Sequence, residues 1–419
     1  MAIAGIICEY NPFHLGHRKQ FAMVREALGG DTAIVCLMSG NYVQRGAPAV
    51  FDKTLRAEAA LRCGADLVLE LPVSVSLSSA EGFAAGGVGI LSELCTHLAF
   101  GCETADSRSL EQTVQGLLDP GFSSRLRQAL ESGISFPAAR EEALRAMGIS
   151  PALLRSPNDT LAVEYCKAIA VQGSALAPLP LRREGMYHAQ YPDPENPSAA
   201  SLRLSLAAGE DWLRFVPSEA APVFRDAPLH TLDAGERAVL YRLRTMTEAE
   251  FEALPYGSEG LWRRFLRECR RGSTLEEILS AVKTKRYTRT RLDRMVLCAF
   301  LGLTKEALSE PAPYVRILGF TDRGREILRG SQGSIPLRNA GAPGDGEYWE
   351  AEKRWGDLYG LFRTGQPDPP GQEQNRRIIY CSHNPSYSKA VLPHRPVFVK
   401  QASIRTEHEA SPVRQTVQE

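Results

Sequence analysis

The chain reads as an α/β protein, a mostly parallel sheet covered by helices, followed by a mainly helical and basic half. Two observations lead there. Over the first two hundred residues, short runs of consecutive apolar residues alternate with helical patterns, as in sheets buried on both faces. From about Ala221 the strand signals thin out, and residues 230 to 304 repeat apolar positions at helical spacing. A chain of 419 residues exceeds one ordinary core, so we expect a domain over 1–220, a helical domain over 221–362 and a linker-like or partly disordered tail over 363–419.

Ala2 to Cys8 is short and apolar and predicts a buried strand. Asn11-Pro12 ends it, because the residue before proline is pushed away from helical angles. From Gly16 the pattern becomes helical, with Phe21, Val24 and Leu28 on one face and Gly29-Gly30 as the stop. Thr32 to Met38 predicts a second buried strand. It runs into Ser39 to Gly46, a loop whose polar, glycine-rich make-up places it outside the core. Asp52 predicts a helix cap, Leu67 to Leu71 a third strand, Ser79 to Leu94 a helix and His97 to Phe100 a fourth strand. Residues 106 to 150 read as helical, Ser156-Pro157-Asn158-Asp159-Thr160 opens a further helix, and Leu179 to Leu181 suggests another strand. Ser198 to Arg203 starts a helix, where the hydroxyls and the arginine suit either a phosphate or an ordinary cap.

The helical half is distinctive in charge. The whole chain balances 49 basic against 49 acidic residues, yet Arg263 to Arg294 holds eleven basic residues and four acidic ones. Trp262, Phe265 and Tyr287 are interleaved. Arginines among aromatics suit RNA, and a solvated helix face remains the alternative. Tyr314 to Phe320 looks strand-like, and beyond Phe362 the stretch GQPDPPGQEQ is linker-like in composition. Nine cysteines lack framework spacing and no apolar run reaches membrane-spanning length. The opening residues read as a strand and not a secretory leader, so a cytoplasmic protein is expected.

The chemistry concentrates at Ile6-Ile7-Cys8-Glu9-Tyr10-Asn11-Pro12-Phe13-His14-Leu15-Gly16-His17, a strand, a tight loop and a helix start. The free N–H groups and dipole of a first helical turn favour polyphosphate. Gly16 leaves room for a ligand to approach the backbone, and His14 and His17 add two directed donors. A metal pair or plain capping histidines are the alternatives; no further ligand follows at metal spacing. Cys8 and Cys102 read as packing residues. Glu9 to His17, Ser39 to Gly46 and Gly101 to Glu103 all fall at strand carboxyl ends, where such sheets bind ligands.

The His-x-Gly-His pattern resembles the signature of the HIGH-type nucleotidyltransferase superfamily. Longer strings resemble the bacterial tRNA(Met) cytidine acetate ligase family: EYNPFHLGH (9–17), MSGNYVQRGAPAVFDK (38–53), GADLVLELP (64–72), SSAEGFAAGGV (78–88), FGCE (100–103), SPND (156–159), SAASLR (198–203), TKRYTRTRL (284–292) and YVRILGF (314–320). Leu15 and Cys102 depart from the expected pattern, and the stretch before Tyr187-His188 is one residue short. The resemblance implies a Rossmann-like nucleotidyltransferase fold followed by a helical RNA-binding domain. It implies activation of acetate by ATP to acetyl-adenylate, then transfer to the exocyclic amine of the wobble cytidine of elongator tRNA(Met), giving N4-acetylcytidine. By motif, Ile7, Cys8, Glu9, Tyr10, Asn11, Pro12, Phe13, His14, Leu15, Gly16, His17, Arg18, Lys19 and Gln20 would line ATP. Gly101, Asn158, Ser201 and Arg182 or Arg183 would complete the site. His14, His17 and Arg203 are the catalytic candidates, and Lys283, Lys285, Arg286, Arg289 and Arg291 would hold tRNA. Mg²⁺ would accompany ATP, with no protein-bound metal. Two rival readings are a small-molecule nucleotidyltransferase or carboxylate-activating ligase on the same fold, and a non-catalytic RNA-binding protein.

Overall fold

The computed structural model describes residues 1–183, 192–193, 196–331, 333–344 and 346–382. The apolar runs form β1 (Ile3–Cys8), β2 (Ala33–Ser39), β3 (Leu67–Leu71), β4 (His97–Cys102) and β5 (Ala177–Arg182), all parallel, in the order β3-β2-β1-β4-β5. Between them run α1 (Leu15–Leu28), α2 (Lys53–Arg62), α3 (Ala80–Ser92), three helices α4 (Ser107–Leu118), α5 (Phe122–Glu131) and α6 (Phe136–Ala146), and α7 (Pro157–Gln172). Side-chain oxygens start several of these helices where the sequence placed them: Asp52 accepts from Thr54 N–H, Ser79 from Gly82 N–H and Ser156 from Asp159 N–H. The strand order reverses between β1 and β4. Doubly wound sheets bind ligands at such a reversal, outside the strands' carboxyl ends.

Beyond α8 (Ala199–Ala207), the helices α9 (Leu232–Thr245), α10 (Leu261–Cys269), α11 (Leu275–Val282) and α12 (Arg289–Leu301) enclose a separate apolar core. The chain departs from expectation in three places, the first being the helical half. Trp262, Phe265 and Tyr287 are buried in this core, so none offers a face to an RNA base. The Tyr314 strand, β6 (Val315–Thr321), does not stay with the helical half; it joins the first sheet antiparallel to β3. All seven of its residues are buried there, and it covers what would otherwise be an open sheet edge. β7 (Leu337–Asn339) and β8 (Ile379–Cys381) add to β6, which makes eight strands. A boundary at residue 220 therefore marks where the mainly helical part begins, not where the sheet ends.

The polar loop after β2 is the second correction, because Ser39 to Val43 is fully buried. Its polar groups are matched in place. Asn41 Oδ1 accepts Lys53 N–H (2.8 Å), Ser76 Oγ donates to Ser39 Oγ (2.9 Å), and Tyr42 OH donates to the Trp355 carbonyl (2.8 Å) on α13 (Gly346–Gly360).

The third concerns the tail. Residues 363–382 are anchored in the fold, while the rest of the expected tail lies outside the described residues. Arg376 grips Asp52 with both ends of its fork (2.7 and 2.8 Å), and Lys53 Nζ lies 2.7 Å from Glu70 and 2.9 Å from Glu373. Burial alone would push the Lys53 ammonium pKa down, but Glu373 and Glu70 outweigh it and hold it above the usual lysine value. Burial would raise the Asp52 carboxyl, and Arg376 instead holds it well below the ordinary carboxylate range. Removing one member of such a cluster leaves its partners charged and dry. Arg376→Ala should therefore cost about 3–5 kcal/mol of stability, read as a lower midpoint in urea denaturation. A loss under about 1 kcal/mol would mean that the tail is not anchored this way.

Candidate active site

β1 runs out at Cys8, and the chain turns sharply through Tyr10, whose φ is 46°. Two groups hold the turn. Asn11 Oδ1 accepts Val50 N–H (2.8 Å), and the buried Arg56 of α2 donates to the carbonyls of Glu9 (2.6 Å), Ser39 (3.0 Å), Phe51 (2.9 Å) and Gly40. One guanidinium thus ties the carboxyl ends of β1 and β2 together, and satisfies carbonyls that would otherwise be buried alone.

The helix that follows is capped by its own two histidines. His14 Nδ1 accepts Gly16 N–H (3.1 Å) and His17 Nδ1 accepts His14 N–H (3.2 Å), a reciprocal box built from imidazoles. The rings stack with centroids 3.7 Å apart, and Tyr10 and Phe13 pack around His17 with centroids at 4.8 and 5.4 Å. Because each Nδ1 is an acceptor, each neutral ring carries its proton on Nε2. Burial, then the charges of Arg183 and Arg203, push the His14 pKa down to about 3. Burial, His14 and Arg183 push His17 well below its usual value. At neutral pH the pair is thus two uncharged N–H donors in fixed directions. Gly16 also makes room for a neighbouring ring. A Cβ there would meet the His14 ring at 3.0 Å, so the histidine itself occupies the space.

These groups border one cavity of about 1180 Å³ at the strand-order reversal. Ile7, Cys8, Glu9, Tyr10, Asn11, His14, Gly16, His17, Lys19, Gln20, Gly101, Asn158, Arg182, Arg183 and Arg203 all line it. Pro12, Phe13, Leu15, Arg18 and Ser201 do not. Phe13 is core, Arg18 pairs with Glu219 at 3.0 Å, and Ser201 is buried in the cap of α8, where Ser198 accepts its N–H at 3.1 Å. Burial pushes the Cys8 thiol well up, which keeps it protonated and fits a packing role.

The opposite wall is braced across β4 and α7. Glu103 accepts from Ser156 Oγ (2.8 Å), Asn158 Nδ2 (2.7 Å) and Asp159 N–H (3.0 Å), while Asp159 accepts from Glu103 N–H (2.8 Å) and Thr104 Oγ1 (2.7 Å). Gly101 lets Arg183 lie across β4, since a Cβ would meet its Cδ at 2.8 Å. Arg183 also shifts both histidines, which separates it from Arg182. Arg203 Nη1 donates to the Asn11 carbonyl (2.7 Å) and joins α8 to the loop. Tyr187 and His188 lie outside the described residues.

Several further groups line the cavity besides the named candidates. Gln44 and Arg45 come from the buried loop, and Gln44 N–H donates to Glu9 Oε1 (2.9 Å). Phe122 and Phe136 come from the inserted helices, and Thr288, Thr290 and Arg294 from the helical half. Gln44 and Arg45 lie in the 38–53 string, in the loop already placed at a strand carboxyl end; Phe122 and Phe136 lacked any local signal, and the third group lies in and just beyond the TKRYTRTRL string. Of the expected tRNA contacts, Arg286 pairs with Glu259 (2.7 Å) and Arg289 with Glu276 and Asp293 (2.8 Å each). Arg291 donates to the Tyr256 carbonyl (2.6 Å), and Lys283 and Lys285 are exposed.

A parallel sheet with a ligand cavity at its reversal, entered by a helix carrying His-x-Gly-His, is the architecture of a HIGH-type nucleotidyltransferase. The HIGH Nucleotidyl Transferase family model matches residues 1–365. Over 361 residues the chain is 36% identical to the tRNA(Met) cytidine acetate ligase of Bacillus subtilis, covering 80% of this chain and 86% of that protein. It is 35% identical to the one from Clostridium perfringens over 353 residues, covering 78% and 87%. The crystal structure of Thermotoga maritima TmcAL bound with alpha-thio ATP matches at a TM-score of 0.82 and 28% identity, over 91% of this chain and 100% of that one. The chain belongs to the HIGH nucleotidyltransferases and, within them, to the tRNA(Met) cytidine acetate ligase family.

The folded His14 pKa lies below the ordinary value of about 6.5, so the neutral ring contributes stability that is complete above about pH 6.5 and is lost as pH falls through about 3. His14→Asn keeps a capping oxygen without a titrating ring. Stability of the native chain should therefore fall more steeply than that of His14→Asn between pH 6.5 and 4, by up to about 1.4 kcal/mol per pH unit. Parallel stability curves would show that His14 is not held neutral.

Proposed function

We propose that the protein activates acetate with ATP and passes the acetyl group to the exocyclic amine of the wobble cytidine of elongator tRNA(Met). The observation that carries this reading is the pair of neutral, Nδ1-anchored histidines on one cavity wall with Arg183 and Arg203. Acetate is a poor acylating agent because its leaving group would be oxide. Its carboxylate oxygen attacks the α-phosphorus, the α–β bridging bond breaks, and pyrophosphate leaves with the electron pair. The protein need not supply a nucleophile. It must hold two anions together and stabilise charge as it moves onto the phosphate oxygens, which fixed N–H donors, arginines and a helix start can do. In the second step the cytidine amine attacks the acetyl carbon, AMP leaves, and the amine loses a proton.

We assign ATP to the lining residues named above, with Arg183 as the contact left open between Arg182 and Arg183, and His14, His17 and Arg203 to catalysis. Mg²⁺ is expected to arrive on the phosphates of ATP. Among the described residues no group of three His, Cys, Asp or Glu side chains is gathered that could hold it. No described helix is long and apolar enough to cross a membrane, and all nine cysteines are free, which fits the cytoplasm where tRNA is modified. The exposed Lys283, Lys285 and Arg286 remain our candidates for tRNA phosphates, with Arg289 and Arg291 holding the segment's shape.

His17→Ala should reduce acetate-dependent ATP–pyrophosphate exchange by about a hundredfold or more, near 3 kcal/mol of transition-state stabilisation, while tRNA affinity changes little. An unchanged exchange rate would remove His17 from the chemistry. Arg286→Glu should weaken tRNA binding and flatten its salt dependence without slowing exchange. Unmodified tRNA(Met) incubated with protein, ATP and labelled acetate should yield labelled N4-acetylcytidine by mass spectrometry. Exchange with a different acid and no labelled nucleoside would favour a small-molecule ligase instead.

A further inference from the structure

The cavity at the strand-order reversal is not closed by the sheet domain alone. Part of its wall is the start of α12, through Thr288, Thr290 and Arg294. The two halves touch here, because Gly46 (φ 81°) lies directly on the Asp293–Arg294 backbone and any Cβ would collide with it. The basic helical half is therefore built into the same cavity that holds the histidines.

Two features of this wall have no use in the activation step. The first turn of α12 is not capped by a side chain: Thr288 makes no cap hydrogen bond, and the turn contains no acidic residue. Its free N–H groups and dipole favour an anion. Independently, Arg294 is nine-tenths buried and its Nε has no hydrogen-bond partner among the described residues. Its guanidinium lies over the Tyr256 ring at 5.0 Å, hydrogen-bonds the Tyr256 side chain, and donates from Nη1 to the Gln44 carbonyl at 3.3 Å, so only Nε is left open among the described residues. The neighbouring Asp293 is already committed to Arg289 at 2.8 Å, and among the described residues no carboxylate lies within ion-pair distance of Arg294. A buried guanidinium with an open Nε and no carboxylate in direct contact among the described residues, beside an uncapped helix start, is an arrangement that suits a bound anion.

Resting on the acyl-transfer reading, we propose that Thr288, Thr290, the first N–H groups of α12 and Arg294 bind a backbone phosphodiester of the RNA, next to the nucleotide that is acylated. The triphosphate is held on the histidine wall and the phosphodiester on the α12 wall, so the acceptor base enters between them with its amine facing the acyl-adenylate. In this arrangement the cavity orients the acceptor nucleotide by its own phosphate, and Lys283, Lys285 and Arg286 serve the more distant backbone.

The test compares steady-state RNA acetylation by the full-length native chain, Arg294→Gln and Thr290→Glu. Thr290→Glu puts a carboxylate on an exposed first-turn position, where it favours the helix but opposes a phosphate, so its folding is secure. For both variants the KM for RNA should rise about tenfold while the KM for ATP moves less than about twofold. The slope of log affinity for RNA against log salt should shrink by about 0.7 in Arg294→Gln, the loss of one single-strand phosphate contact. An unchanged KM for RNA in Thr290→Glu, or an equal rise in the KM for ATP, would overturn the proposal, the latter by assigning this wall to the triphosphate. If the native chain acetylates no RNA, the acyl-transfer reading fails and this inference fails with it. If it does acetylate RNA and the variants match it, only the inference fails.

Discussion

The site depends on one pair of hydrogen bonds. Each histidine of the His-x-Gly-His turn gives its Nδ1 to a backbone N–H of the same helix start. This single arrangement caps α1, fixes both ring orientations and leaves both protons on Nε2. It also explains the intervening glycine, whose missing side chain is replaced by the His14 ring. Burial near two arginines keeps the rings uncharged. An uncharged donor binds a phosphate oxygen less tightly at rest than a cation would. Its contribution grows as negative charge accumulates, which favours the transition state over the ground state.

The rest of the molecule keeps that turn in place. Arg56 joins the β1 and β2 ends from beneath, Arg203 reaches the Asn11 carbonyl from α8, and Glu103 with Asp159 locks the facing wall. Further out, Asp52 and Lys53 at the start of α2 are tied to Arg376 and Glu373. A segment over three hundred residues away in sequence thereby anchors the helix that carries Arg56. Tyr42 completes the connection by packing into the helical core from the loop that supplies Gln44 and Arg45. The nucleotide cleft and the basic half thus share a structural frame.

Much of this was legible in sequence where the signal is local. The buried strands read correctly because sheets covered on both faces show as continuous apolar runs; Asp52 read as a cap, and the helices starting at Ser79, Ser156 and Ser198 were placed at residues whose side chains do cap them. The His14–His17 junction stood out for the same reason, since both partners of each bond lie within four residues. What was illegible depends on distant partners. Ser39 to Val43 looked like surface because its polar atoms are satisfied by Lys53, Ser76 and Trp355, which no local window contains. Residues 363–382 looked like linker because the buried partners of Glu373 and Arg376 lie near residue 52. Trp262 and Phe265 sat among arginines in sequence yet face inward, since a helix with one basic face buries its other one, and Tyr287, in the bend before α12, is buried as well.

The proposed chemistry depends on the protonation of two rings. Nitrogen-15 NMR of histidine-labelled protein, with His14→Asn and His17→Ala for assignment, reads it directly. Both rings should be neutral at pH 6 with the proton on Nε2, and ATP should shift the Nε2 resonances while leaving each Nδ1 an acceptor. A charged ring at pH 6, a proton on either Nδ1, or Nε2 signals indifferent to ATP would contradict it.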